Sequence, residues 1–417
     1  MKGKIFFFVL CVCIAFISCS NVAKNGDDTH PNDSVLKFLD IKNAKNLYIG
    51  TNNTGTRSAR DSATIQKLFK ITEEGYVEEV KYLDENKKEI TISQVPSVIQ
   101  NVNDDYIYVG FGSYGSISTS YLVRKTDGAV FDMTKAGNPV KNSSDYKNAP
   151  MIKTDKKNNI YFFVFSKVVK VDLNGIDSLV ATTIADSEDY VTYFDVDLNG
   201  NVIYTGYSRD CIWKSNGSIQ NLEGMSAFWI GPDGYIYLNK ENLLKEYTIY
   251  KIIVDDSYNI KEIRYANFGG YNLYSRENMF RVEIKNRLLS ISSYGEILEL
   301  YNESVAPRAV RFDSWGIASI TTVGATENYY YIAGVDSNGK NFLTRIDPKD
   351  DSYVNLLPQG GYEVHSFTVS ESDGIIFTAL RPSDGKEVIG QIGIDGGEVT
   401  VLDEKSGIRI TYLERIN

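Results

Sequence analysis

Residues 199–222 read NGNVIYTGYSRDCIWKSNGSIQNL. NGNVIYTG (199–206) carries one short apolar strand after a turn, and IWKSNGSIQNL (212–222) is a hairpin of two more. Asn, Gly and Ser punctuate them, with Asn216-Gly217 as a hairpin turn. No run is long enough for a helix, and none has a 3.6-residue apolar period.

The same unit recurs along the chain. Its hairpin appears as LFKITEEGYVEEV (68–80), LVRKTDGAVFDM (122–133), VVKVDLNGIDSLV (168–180) and IWKSNGSIQNL (212–222). It continues as IYKIIVDDSYNIKEI (249–263), LLSISSYGEILEL (288–300), LTRIDPKDDSYVNL (343–356) and IGQIGIDGGEVTVL (389–402). Another strand precedes most of these, as in DDYIYVG (104–110), KNNIYFF (157–163), DGYIYLN (233–239), ENYYYIAG (327–334) and SDGIIFTA (372–379). Four strands in about 46 residues is the period of a propeller blade. The expected fold is all-β: a β-propeller of eight four-stranded blades over 35–417, forming one closed domain. The alternative has seven blades and treats 269–312, with YNLYSRENMFRVEI at 271–284, as irregular. The alternation in IYVG and VIYTG predicts one apolar face and one smaller or polar face. VLKFLDI (35–41) and IRITYLERI (408–416) are both strand-like, and one of them is expected to complete a blade begun at the other end.

Composition fits this reading. The chain has 417 residues, of which 42% are hydrophobic and 24% charged, so a disordered chain is excluded. It has 29 Tyr, 19 Phe and 33 Gly, which favours strands and tight turns. A ring of blades also explains how 417 residues form one domain, since each blade needs only its neighbours. The repeats resemble β-propellers of the broad NHL and PQQ-repeat kind at fold level. Kelch repeats need a Gly pair in every blade, and only Gly269-Gly270 fits that pattern well; WD dipeptides and Asp boxes are absent, and three Trp cannot supply a PQQ repeat.

The first residues, MKGKIFFFVLCVCIAFISCS, carry Lys2 and Lys4, then an apolar run from Ile5 to Ile17, then Ser18-Cys19. The run is short for a spanning helix and has signal-peptide order. It resembles a bacterial lipoprotein lipobox, with Phe16 where Leu is commoner. The resemblance implies cleavage after residue 18, diacylglycerol on the Cys19 thiol and an acyl chain such as palmitate on its amine. Each buried CH₂ adds about 0.8 kcal/mol of membrane binding. Ser20 rather than Asp implies the outer membrane in a two-membrane cell. Residues 1–18 are then signal peptide, and 19–34 a lipidated polar tether containing His30. Cys11 and Cys13 leave with the signal and Cys211 remains alone, so no intramolecular disulfide is expected. Loss of 1–18 removes Lys2 and Lys4 and no acid, moving the net charge from −10 to −12. That charge argues against nucleic acid as a partner. A lipid-anchored propeller is also similar, at fold level, to the lipoprotein subunit of the outer-membrane protein assembly machine.

Few residues carry a chemical signature. Asp195, Asp197 and Asn199, followed by Gly200, resemble the start of a calcium loop, but Gly206 stands where a bidentate Glu belongs. The plainer reading is a β-turn. Gly112-Ser113-Tyr114-Gly115-Ser116 lacks the first Gly of a nucleophile elbow, and His365 is the sole His of the folded body. Aromatics near expected loops or strand ends are the better ligand-binding candidates: Trp315, Trp229, Tyr114, Tyr207, Tyr271 and Tyr274. Inserts at 51–66, with Arg57 and Arg60, and at 112–120 are expected to form rims. No cofactor is predicted, and calcium is the one metal considered. The expected role is a binding scaffold in the cell envelope for a protein partner. The alternatives are a receptor for a surface ligand, and a propeller hydrolase or lyase with an acidic or metal site at the channel mouth.

Overall fold

The computed structural model describes residues 35–52, 65–112, 117–134, 137, 151–164, 166–174, 178–186, 191–206, 210–241, 247–269, 279–292, 296–303, 309–311, 316–358, 361–405 and 408–416. Every named element among them is a β-strand. Residues Leu36–Asn417 form one unit, to which all that follows refers.

Eight four-stranded antiparallel sheets follow one another: I (44–79 with 408–415), II (96–132), III (152–186), IV (191–221), V (225–269), VI (279–311), VII (317–355) and VIII (363–405). In sheets II to VIII the four strands pair in chain order. Sheet I differs. Its first strand is Ile408–Arg415, paired antiparallel with Ala44–Asn52 from Asn46↔Arg415 to Asn52↔Ile408. The C-terminal segment therefore completes a sheet begun near the N terminus. VLKFLDI does not complete one. Its Phe38–Leu39 joins Tyr82–Leu83 and Glu89–Ile90 in a small three-stranded sheet and bridges to Ala129. That docking needs Gly128: its φ is +73°, and a Cβ would meet the Leu39 carbonyl oxygen at 1.9 Å.

First strands touch first strands. Contacts join Ile152–Thr154 to Val191–Val196, and Val191–Val196 to Met225–Ile230. They continue from Met279–Ile284 through Ile317–Ala325 and Glu363–Ser370 to Ile408–Arg415, and on to Pro96–Asn101. The first strands thus lie inside and the fourth strands outside. This is a β-propeller arrangement of four-stranded sheets.

Eight apolar clusters lie between successive sheets. One packs Leu47, Ile49 and Leu68 of sheet I on Ile107, Val109 and Val123 of sheet II. The last packs Ile376 and Ile389 of sheet VIII on Tyr48, Phe69, Ile71, Ile410 and Leu413 of sheet I. The six others join the sheets between. The second strands carry most of this. Ile160–Val164 is buried throughout, and Gly374–Arg381 is buried over its first six residues. The expected polar face on these strands is thus corrected: both faces meet a neighbouring sheet, so both are apolar. Seven of the eight hairpins read from sequence join third to fourth strands. The sixth, LLSISSYGEILEL, joins second to third instead, and the fourth strand of sheet VI is Ala309–Arg311. A turn signal marks a hairpin but not its place in the blade.

Several first strands bulge where they pair with the second. The ladder skips Ser97, Thr192 and Thr321. A bulge removes a backbone donor from the ladder. Here the skipped residue's own hydroxyl supplies one: Ser97 Oγ donates to the Gly110 carbonyl at 3.1 Å, Thr192 Oγ1 to Thr205 at 3.2 Å and Thr321 Oγ1 to Ala333 at 3.2 Å.

Leu413 is 1% exposed on the C-terminal strand, whereas Val401 is 37% exposed on the outer strand of sheet VIII. Leu413→Ala is expected to lower unfolding free energy by about 2–5 kcal/mol in urea titration, and Val401→Ala by less than about 0.5 kcal/mol. Equal, small losses would refute the role assigned to the C-terminal strand.

Candidate functional site

The Asp195–Gly200 stretch forms the turn joining the first and second strands of sheet IV. Asp197 Oδ1 accepts the backbone N–H of Asn199 and of Asn201, each at 2.8 Å, and Oδ2 accepts Asn201 Nδ2 at 2.8 Å. The carboxylate is thereby used to hold the turn. Asp195 faces elsewhere, with Tyr193 donating to its Oδ2 at 3.4 Å. Among the described residues no group of three or more His, Cys, Asp or Glu is placed to hold a metal ion.

The same turn recurs. Asp84, Asp155, Asp255 and Asp336 each accept the N–H groups two and four residues on. The third residue after each Asp has positive φ: Lys87, Asn158, Tyr258 and Gly339, with Gly200 following Asp197. Environment then separates equivalent carboxylates. Donated backbone N–H groups hold Asp255 and Asp336, which are exposed, below the ordinary carboxylate range. Burial instead pushes Asp197 up, against the pull of Asn201 and Asn199.

Of the aromatic candidates, Trp315, Tyr114, Tyr207, Tyr271 and Tyr274 lie outside the described residues, as do Cys19, His30, Arg57 and Arg60. Trp229 is the last residue but one of Met225–Ile230, is 1% exposed, and stacks on Tyr237 with ring centroids 6.2 Å apart. It fills the cluster between sheets V and VI. His365 is in a bulge of the first strand of sheet VIII, with Nε2 3.5 Å from Glu387 Oε1. Cys211 is buried, and its thiol donates to Asn221 Oδ1 at 3.1 Å.

One cluster on the first strands was not read from the sequence. Tyr193 and Asp195, two apart, share a face of Val191–Val196. Lys153, from sheet III, donates to the Tyr193 hydroxyl at 3.1 Å, and its ammonium lies 4.7 Å from the ring centre. Arg281, from sheet VI, donates to the same hydroxyl at 3.3 Å and to the Phe228 carbonyl at 3.1 Å. The four residues bring together sheets III, IV and VI across sheet V. Lys156 and Glu283 repeat the span from III to VI, with an ion pair of 3.3 Å. Arg281 and Glu283 alternate with Phe280, Val282 and Ile284, which is the only sequence signal of this face.

One phenol oxygen accepts from two cations and donates to one carboxylate. Legs of 3.1 and 3.3 Å place the two nitrogens at most about 6.4 Å apart. Their repulsion is about 2–3 kcal/mol at an effective dielectric near 20, and under about 1 kcal/mol where water screens it fully. Burial lowers the Lys153 ammonium and Arg281 pushes the same way. The Tyr193 phenol and Asp195 outweigh both and hold it above its ordinary value. Lys153 is therefore a cation at neutral pH.

No protein-family model matches the chain, and no curated protein matches it. Solved structures similar to it include a streptogramin B lyase, at 13% identity over 69% of this chain and 92% of that one, with a TM-score of 0.41. A putative 6-phosphogluconolactonase from Bacteroides uniformis is similar at 11% identity over 88% and 100%, TM-score 0.40. The dihydro-heme d1 dehydrogenase NirN is similar at 10% identity over 81% and 72%, TM-score 0.47. Identities this low transfer no substrate and no residue role.

The raised Asp197 has a consequence in pH. Its folded pKa lies above the unfolded value, so the native state binds more protons in that interval, and stability falls as pH rises through it. Asp197→Asn keeps an oxygen for the turn and removes the charge. In urea titrations between pH 4 and 7, the wild type should lose stability relative to Asp197→Asn as pH rises. Parallel curves would show that burial does not govern this carboxylate.

Proposed function

We propose that this chain is a lipid-anchored β-propeller of the cell envelope, an eight-bladed ring that works as a binding scaffold for a protein partner. The observation that carries the scaffold reading is the placement of exposed apolar side chains. Within Leu36–Asn417, all the large hydrophobic residues described as exposed lie on a fourth strand or on the turn leading into one. Tyr76 and Tyr258 are in such turns; Val180, Ile219, Ile263, Tyr353, Val354 and Val401 are on the strands. The first strands lie inside, while fourth strands lie at the rim; that of sheet II is covered by the Phe38–Leu39 segment, whose Lys37 carbonyl accepts the Val130 N–H. Short exposed outer strands, such as Ile219–Asn221 and Tyr353–Asn355, limit promiscuous pairing. Apolar side chains beside polar ones there suit a protein surface. Adjacent Tyr353 and Val354 are 48% and 44% exposed, and Tyr is a residue that anchors interfaces.

The anchor rests on the order of basic start, apolar run and Ser18-Cys19 in the sequence. Acyl chains on Cys19 would hold the ring at a membrane, and the polar 20–34 segment would space it from the surface. An outer-membrane location follows from Ser20 by the same resemblance.

The test is crosslinking in intact membranes, capture of the protein and mass spectrometry. Wild type is expected to bring down one envelope protein near stoichiometry. The pair Tyr353→Asp and Val354→Asp should cut that yield at least tenfold while leaving the unfolding midpoint unchanged. Undiminished capture would remove the rim of sheet VII from the interface, and no reproducible partner would overturn the scaffold reading. Cys19→Ser should abolish labelling by radioactive palmitate and shift the protein to the soluble fraction. Labelling that survives in Cys19→Ser would overturn the anchor.

A further inference from the structure

The cluster of Lys153, Tyr193, Asp195 and Arg281 is left unused by a rim that binds protein. Two cations converge on a single phenol oxygen, and the only carboxylate of the group touches the phenol. The local charge is thus +1, inside a chain whose net charge is −10. Structural ion pairs in this protein look different. Lys251 meets Asp233 at 2.7 Å, Lys240 meets Glu262 at 2.6 Å, and Arg381 lies between Asp384 and Glu404 at 2.5 and 2.6 Å. Each of those cations has a carboxylate in direct contact. Lys153 and Arg281 have a neutral hydroxyl.

Their placement is equally specific. Both cations stand on first strands, Ile152–Thr154 and Met279–Ile284, which face the inside of the propeller. Arg281 is held by two anchors, Tyr193 and the Phe228 carbonyl. Lys153 is held by Tyr193 through both its hydroxyl and its ring face. Those anchors use one of the three ammonium N–H groups and two of the five guanidinium N–H groups, which leaves donors on both. A preorganised pair of cations with spare donors fits an oxyanion bridging the two. The guanidinium fork matches two oxygens, and the ammonium supplies a point charge.

The geometry points to a binding site for a small oxyanion, a phosphate or a carboxylate group, between Lys153 and Arg281 on the inner strands of sheets III and VI. Tyr193 is the positioning residue that aims both cations. Asp195 orients the phenol by accepting the hydrogen bond its O–H donates, which leaves both phenol lone pairs for the cations. The site goes beyond the scaffold reading and does not need it: one acts on the rim, the other at the inside.

Calorimetric titration of the purified folded protein with inorganic phosphate, and separately with succinate, tests this. Sodium chloride matched in ionic strength is the control. Binding is expected for at least one of the two oxyanions and should weaken as sodium chloride is raised. Preference between them tells a phosphate site from a carboxylate site. The unfolding midpoint should rise with the bound oxyanion by mass action. Lys153→Met and Arg281→Met should each reduce affinity at least tenfold. Lys153→Arg, which keeps the charge, should retain binding, as should Lys251→Met, whose cation is already closed by Asp233. Tyr193→Phe should weaken binding while its salt dependence persists, since the charges remain and only their aim is lost. If neither oxyanion gives heat or a midpoint shift beyond the chloride control, the proposal fails. It fails equally if binding survives in Arg281→Met and Lys153→Met alike. Should either Met variant misfold, the comparison of Lys153→Arg with Tyr193→Phe decides: equal affinities in the two would remove Tyr193, and with it the site.

Discussion

Each sheet of this molecule has two apolar faces, and neither can be left to water. An isolated four-stranded sheet would expose one side of Tyr204, Phe162 or Phe377, each of which is 0% exposed here. Fully burying such a side chain contributes about 1.5–3 kcal/mol, and the neighbouring sheet is what does it. Sheet I has an apolar face toward sheet II and another, built on Tyr48, Phe69 and Ile71, that only sheet VIII covers. Pairing Ile408–Arg415 with Ala44–Asn52 fixes the register at that junction. Stability is spread over eight interfaces rather than gathered in one core, so a chain of this length needs no second domain.

The repeat was legible because its signals are local. Asn216-Gly217 or Asp197 with Gly200 announces a hairpin within five residues, and the runs beside it have strand composition. Two things escaped for one reason. The polar face expected on IYVG was wrong because burial on both sides depends on a sheet some forty residues away. The place of LLSISSYGEILEL within its blade was missed because second-to-third and third-to-fourth hairpins use the same turn chemistry. The C-terminal strand could be named as a strand, but its partner lies more than three hundred residues back.

Site residues were less legible than the fold, for a related reason. Lys153 stands in the three-residue strand Ile152-Lys153-Thr154, and Arg281 in Met279–Ile284; nothing within either segment refers to the other. Only the ring brings sheets III, IV and VI to one phenol oxygen. Conversely, the motif that looked most chemical in sequence, Asp195 to Gly200, is explained by the turn it makes. Five aspartates spend their Oδ1 in the same way. A carboxylate that caps backbone N–H groups has fewer lone pairs to offer a metal ion. Burial distinguishes Asp197 from Asp255 and Asp336 and reverses the direction of its pKa relative to theirs.

Inside and outside of the ring therefore meet different demands. The inner strands bulge, and wherever Ser97, Thr192 or Thr321 drops out of the ladder its hydroxyl replaces the lost backbone donor. A polar lining is built in this way without orphaned carbonyls, which lets charged groups such as Lys153 and Arg281 be held there at a defined geometry. Outer strands such as Ile219–Asn221 and Tyr353–Asn355 are exposed throughout and meet no such constraint. Apolar side chains there gain nothing from the fold itself: Tyr353 and Val354 contribute little to stability where they stand. That asymmetry is what the two proposals rest on, a protein partner at the rim and a small oxyanion at the inner strands.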